Sequence, residues 1–337
     1  MKSLISGFYA VILVIVCGCT EKNGGAEVEK QNEELLVQHC AGRLVLQLPG
    51  SFSISPIVTG VFKEDGYGLE SEPLNVSVVT REVPLNLSSE VQSRNAEIEK
   101  GASANVNVLR SKKELDDGVT IFRIQRVDDA FASEILFLRG SSLISARVNS
   151  YNCEYLAAEE RLSRFAKKIY TMSGTSASEE NVGFCLGPVV VKGDYVVEKG
   201  QFQFKDERGE QFELRVDTYA SNEPVSLLER MSGPQSLLRS FNVPYEVYRS
   251  KERTIGGMRG QEWLGSMQVA EEGNEAFQFV LETHRQKPGK SAPSFKLTFE
   301  TAQPLEDGTQ TKTMISQSDA IQRWDRIVNS VHIRASE

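Results

Sequence analysis

The three histidines (His39, His284 and His332) and the five cysteines are the residues with which this chain could do nucleophilic or metal chemistry. None of the histidines stands in an H-E-x-x-H or comparable ligand spacing, so the sequence offers no zinc-hydrolase site. His39 and Cys40 are neighbours in QHCAGRLVLQLPG. Consecutive residues of an extended chain point to opposite sides, which is the wrong geometry for a cysteine activated by a histidine base. Neither a G-x-S-x-G elbow nor S-x-x-K occurs. Gly289-Lys290-Ser291 imitates the end of a P-loop, but His284 holds the position of the earlier glycine, and HRQKPGKSAPSF reads as a hairpin loop. GGMRG at 256–260 lies between two strand patterns rather than between a strand and a helix, so it reads as a turn and not a dinucleotide fingerprint. The acidic doublets Glu159-Glu160 and Glu271-Glu272 read as solvated surface. No catalytic, metal or cofactor site is expected, and no small-molecule substrate.

The elements around these residues must therefore serve something other than catalysis. A length of 337 residues, 40% hydrophobic and 25% charged, fits a soluble chain of two domains. With 38 basic against 46 acidic residues the net charge is -8, and no basic patch interleaves with aromatics, which excludes nucleic acid as a partner. The start, MKSLISGFYAVILVIVCGCTEKN, carries Lys2 and then an apolar run from Leu4 to Val16, too short for a comfortable membrane span. Residues 1–18 read as a signal peptide of the lipoprotein type. Gly18 is the small residue before Cys19, which makes Cys19 the lipidation site, and Thr20 after it favours the outer membrane. Residues 19–36 are polar and acidic, a flexible tether spanning on the order of 20 to 25 Å.

Beyond the tether two halves read alike. In the first, RLVLQLP and PLNVSVVTREV are strands, 87–100 is a helix, four strands follow from 105 to 151, and 156–172 is an amphipathic helix. The second half repeats that order after the linker 174–182. Its first helix, in PVSLLERMSGPQSLLRSF, breaks near Gly233-Pro234, and its closing helix begins with a capping-box pattern, Ser316 then Asp319. Leu162, Phe165, Ile169 and Met172 align with Ile321, Trp324, Val328 and Val331, with Arg164 opposite Arg323. Each half starts on Cys-x-Gly, at Cys40-Ala41-Gly42 and Cys185-Leu186-Gly187. The expected fold is α+β: two tandem related domains, 37–173 and 183–335, each an antiparallel sheet with helices packed on one face.

An exported chain can hold disulfides. Cys40 opens the first domain and Cys153 stands before its closing helix, so a Cys40–Cys153 bridge is expected to tie the domain's start to its end. A Cys153–Cys185 bridge and three separate thiols are the alternatives.

Cys40-Ala41-Gly42-Arg43 running into LVLQLP, with Gly183-Phe184-Cys185 and then Gly187 at the second start, resembles the two-domain immunity proteins that protect bacteria against type VI secretion lipase effectors. The resemblance spans about residues 38 to 334. It implies a periplasmic antitoxin that binds a secreted phospholipase and blocks its access to membrane lipid, here held to a membrane by its lipid anchor. Such a protein needs a complementary surface and no catalytic residue. The unpatterned loop FKEDGYGLESEP offers Asp65, Tyr67, Glu70 and Glu72 as partner-binding candidates. The competing reading is a non-catalytic envelope lipoprotein, a scaffold or lipid-binding module.

Overall fold

The structure is a computed structural model that describes residues 35–81, 83–102, 107–115, 117–172, 182–220, 225–232, 245–268, 275–283, 287–302 and 312–334. The signal peptide, Cys19, nearly all of the tether, the linker apart from Val182, His284 and the doublet Glu271-Glu272 lie outside the described residues.

The first half runs β1 (Leu36–Ala41), β2 (Leu44–Pro49), β3 (Ser53–Ile54), β4 (Ile57–Lys63), β5 (Leu74–Thr80), α1 (Leu87–Ala102), β6 (Val108–Leu115), β7 (Val119–Val127), β8 (Ala130–Arg139), β9 (Ser142–Tyr151), α2 (Tyr155–Ala166) and β10 (Ile169–Thr171). The second runs β11 (Phe184–Leu186), β12 (Val189–Val191), β13 (Val197–Lys205), β14 (Gln211–Asp217), α3 (Leu227–Ser232), β15 (Tyr245–Ile255), β16 (Met258–Gln268), β17 (Glu275–Thr283), β18 (Ser294–Glu300), α4 (Gln317–Ser330) and β19 (His332–Ile333). Ser316 caps α4 as its pattern predicts: its Oγ accepts from the Asp319 amide at 3.2 Å and donates to the Asp319 carboxylate at 2.6 Å.

The fold is α+β with antiparallel sheets, and the sheets of the two halves join into one. Its order is β15-β16-β17-β18-β14-β13-β4-β5-β9-β8-β7-β6, with β3 also on β13, so the second half reads outward as the first does. At the seam β4 and β13 run antiparallel, with Thr59 opposite Gln201, Gly60 opposite Gly200 and Val61 opposite Lys199. Both outer strands, β6 and β15, carry a register shift, at Leu109/Ser111 and Val247/Arg249, and several charged side chains. These features blunt edges that would otherwise template pairing with another chain.

One face of this sheet is covered by the hairpins β1–β2 and β11–β12 and by α2 and α4, enclosing a single core to which both halves contribute. Alternation along the strands decides the face. On β8, Ile135 and Phe137 enter this core while Leu136 faces α1; on β17, Phe279 and Leu281 enter it while Val280 faces α3. α1 and α3 thus sit on the opposite face, near the two ends of the strand order.

The chain ends are exchanged between halves. β10 pairs with β12 and β19 with β2, so each half closes on the opening hairpin of the other. The Met172 amide donates to Pro188 O and the Arg334 amide to Arg43 O, both at 2.9 Å, one bond in each half. This fixes the helix register: Ala158, Leu162, Phe165 and Ile169 correspond to Ala320, Trp324, Ile327 and Val331, all buried. The alignment read from sequence is one helical turn out of step, and Arg161, not Arg164, is the counterpart of Arg323. Three-residue slips preserve an amphipathic stripe, which is why the pattern alone chose wrongly.

The expected Cys40–Cys153 bridge is replaced by Cys40–Cys185, with Cα atoms 5.9 Å apart, and Cys153 is an exposed thiol in a short 3-10 turn. The physical reason is the contact between the two Cys-x-Gly turns. Gly42 and Cys185 exchange both backbone hydrogen bonds at 3.0 Å, which sets the two cysteines side by side. Gly42 and Gly187 both have φ of 64°, a left-handed conformation glycine adopts without strain. Non-reducing peptide mapping should recover one linked pair containing Cys40 and Cys185, with Cys153 alkylated before reduction. Cys185→Ala should lower stability by about 2 to 5 kcal/mol; a Cys40–Cys153 peptide would contradict the arrangement.

Candidate partner-binding surface

The loop between β4 and β5 has the same length as its counterpart between β13 and β14. Phe62 pairs with Leu74 just as Phe202 pairs with Leu214, twelve residues apart in both. In the second half the strands continue through Phe204 opposite Phe212, both buried, to a turn at Asp206–Glu210. Glu64 and Glu72 stand at those places in the first half, and two acids cannot form such a buried pair. The strands part instead. Arg161 of α2, 1% exposed, fills the opening, donating to Leu69 O at 2.7 Å, Glu72 O at 2.8 Å and the Glu64 carboxylate at 3.1 Å. Lys168 adds a second cation on Glu64 at 3.0 Å.

The loop is therefore a built feature. Around the 3-10 turn Gly68–Ser71, Tyr67 is 97% exposed, Asp65 and Glu70 are exposed, and Glu72 is half-buried. Glu70 reaches Arg164 at 3.4 Å. The four candidates read from sequence share this one loop, three of them open to solvent.

A second surface is larger. Between α1 and α3 in the strand order, the face opposite the main core is uncovered along β5, β4, β13 and β14. It presents Asn75 and Ser77, then Ile57 and Thr59, then Lys199 and Gln201, then Glu213 and Arg215. Ile57 is 54% exposed and Val61 is half-buried, apolar side chains among mostly polar ones. A hollow of about 210 Å³ lies over the Gly60–Gly200 seam, walled in part by Lys199, Arg215 and Asp217. Lys199 pairs with Asp217 at 2.8 Å and Arg215 with Glu213 at 2.5 Å. Alternation, strict in QFELRVD and partial in LNVSVVT and IVTGVFK, carried this signal, and it was not used to define a surface.

At either flank a helix is fastened by the same ion pair. Arg94 of α1 forks onto Glu134 of β8 at 2.7 and 2.8 Å; Arg230 of α3 bonds Glu282 of β17 at the matching position. Arg147 stands across from Glu134, and Lys296 across from Glu282. Sequence reasoning also misjudged Glu159. It is buried beneath Lys113 and Arg123 at 2.5 and 2.6 Å, joining α2 to β6 and β7, because its place on the inner side of α2 outweighs the acidic doublet.

The residues screened for chemistry are otherwise engaged. Burial holds the His39 imidazole below its usual range, and its ring lies edge-on to Phe204 at 5.1 Å. Its neighbour Cys40 is oxidised, and His332 Nδ1 lies 2.9 Å from Ser330 O. No group of three or more metal-ligating side chains occurs among the described residues.

A largely polar open sheet face and a loop held in place by Arg161 are surfaces suited to binding a partner. Residues 179–336 match the family model of the Tle cognate immunity protein 4 C-terminal domain. Over those residues the second half of the chain is similar to the C-terminal domain of immunity proteins cognate to Tle effectors. Three solved structures share the fold. The apo immunity protein TplEi of the Pseudomonas aeruginosa type VI system has a TM-score of 0.64 and 17% identity, over 90% of this chain and 98% of that one. The Tle4–Tli4 complex gives 0.66 and 19%, over 90% and 98%. TplEi with the "L" peptide gives 0.61 and 20%, over 89% and 98%. No curated protein sequence matches closely enough to count as a relative.

The acid side of stability follows from the anchors. Burial raises the Glu64 and Asp325 carboxyls, but Lys168 and Arg161 on the first, and Arg249 and Arg253 on the second, outweigh it and hold both below the usual carboxylate range. Groups with depressed folded pKa values stabilise fully above their unfolded values, near 4, and lose that contribution as pH falls through the folded ones. Melting temperature should therefore fall as pH drops below about 4. Arg161→Ala should cost about 3 kcal/mol, weaken that acid dependence and expose the 64–73 amides to hydrogen exchange; an unchanged melt would show that Arg161 does not hold the loop.

Proposed function

We propose that this chain is the periplasmic immunity partner of a type VI lipase effector, that it binds the effector, and that it blocks the enzyme's access to membrane lipid. The observation that carries the reading is the family match over 179–336, joined to a whole-chain fold shared with Tli4. In this reading the units 37–173 and 183–335 hold the effector together, and their rigid linkage raises the effective concentration of the second contact. Asp65, Tyr67, Glu70 and Glu72 form one contact loop, and the open sheet face is the broader platform. Cleavage after Gly18 and lipidation of Cys19 tether the protein to a membrane, the outer one favoured, where the toxin meets its substrate.

The test is expression of a type VI lipase effector from the same genome, sent to the periplasm with and without this chain. Cells carrying the full chain should survive; cells carrying a version lacking residues 1–18 should lyse like those with none. Lysis with the full chain present would end the immunity reading. Survival with Cys19→Ser, targeted by a cleavable export signal, would show that export suffices and the anchor is dispensable.

A further inference from the structure

Beside α1, the first half contains a pocket of about 330 Å³ whose walls are Val79, Leu136 and Leu143 on the apolar side and Ser93, Ser145 and Arg147 on the polar side. Its other charges are accounted for. Arg94 is committed to Glu134 and, at 2.8 Å, to Glu97, while Glu90 pairs with Arg81 at 2.8 Å. Arg147 makes no hydrogen bond and no ion pair with any described residue. Burial and the nearby Arg126 depress its guanidinium, and Glu134 across the strand pair only partly offsets them. The second half shows the same arrangement closed. There Lys296 lies 3.2 Å from one Glu282 oxygen and Arg230 takes the other, so that carboxylate satisfies both cations.

An arginine kept half-buried without a partner, in the repeat where its counterpart is satisfied, is a receptor for an incoming anion. A guanidinium fork fits a carboxylate with two parallel bonds. The three lining carboxylates disfavour a dianion such as phosphate, and the apolar wall suits the methylene stem of an acidic side chain. Resting on the immunity reading above, we propose that this pocket receives an aspartate or glutamate side chain of the lipase effector, with Arg147 as its anchor.

The experiment is calorimetric titration of the same purified lipase with the wild-type chain, Arg147→Gln and, as a control in the exposed β13–β14 turn, Arg208→Gln. Arg147 has no partner among the described residues to lose, so its variant should melt as wild type. Arg147→Gln should weaken binding about 10- to 100-fold and flatten its salt dependence, with Arg208→Gln unchanged. Charge reversal at Arg147 should be rescued by an acid-to-arginine change on the lipase. Equal affinity of wild type and Arg147→Gln would overturn the proposal while leaving the immunity reading intact, whereas no binding by wild type would remove both. Arg147-dependent binding to phosphatidylglycerol vesicles without lipase would overturn it in favour of a lipid headgroup.

Discussion

The antiparallel seam of β4 with β13 is the contact on which the rest of this molecule depends. It requires glycine on both sides. A Cβ at Gly60 would lie 2.9 Å from a Leu186 methyl carbon, and one at Gly200 would lie 2.8 Å from the Phe202 ring and 3.0 Å from Phe184. Without side chains there, the second opening hairpin settles directly on the sheet. That hairpin brings Cys185 to Cys40, gives β10 a partner and sets Phe184 edge-on to Phe62 at 5.4 Å. The buried fork from Arg43 to Glu198, at 2.5 and 2.7 Å, ties the other hairpin to β13. The largest core is shared, with only smaller clusters under α1 and α3 private to one half, so separating the halves would expose apolar surface from both.

This closure explains how the two faces differ. All large apolar commitments of the seam lie on the side of the hairpins, α2 and α4, and the opposite side is left polar at its middle and covered only toward its ends. Two ion-paired helices fix those ends. A partner can be met by a flat, preformed surface whose geometry is set by strand pairing rather than by loops, which lowers the ordering cost of association. The β4–β5 loop extends the same logic, because Arg161 holds its carbonyls in place of strand partners.

Much of this was legible in the sequence, and the failures have physical causes. Most of the strand and helix order, the Ser316 cap and the fold class could be read because alternation and helical periodicity are local signals, but β10 and β19 were read as the ends of the closing helices. β4 escaped because Pro56 precedes it and Gly60 interrupts its apolar run, yet Gly60 is there for a partner 140 positions away. The disulfide was assigned within one half because proximity along the chain was the available guide, while the true pair is set by contact between halves. The repeated Cys-x-Gly was the clue to that pairing. The loop around Tyr67 was readable as a loop but not as an opened hairpin, since its anchor, Arg161, sits on a helix that looked merely amphipathic. The Arg147 pocket depends on the comparison of two repeats, which requires the correct register first.

We propose that this fold inhibits by occupying a lipase rather than by acting on anything itself. Titrating the partner lipase against phospholipid vesicles with increasing amounts of the purified chain tests it most directly. Hydrolysis should fall in proportion to added chain and stop near one equivalent, with the chain recovered chemically unchanged. Undiminished hydrolysis at a large molar excess of the chain would contradict it.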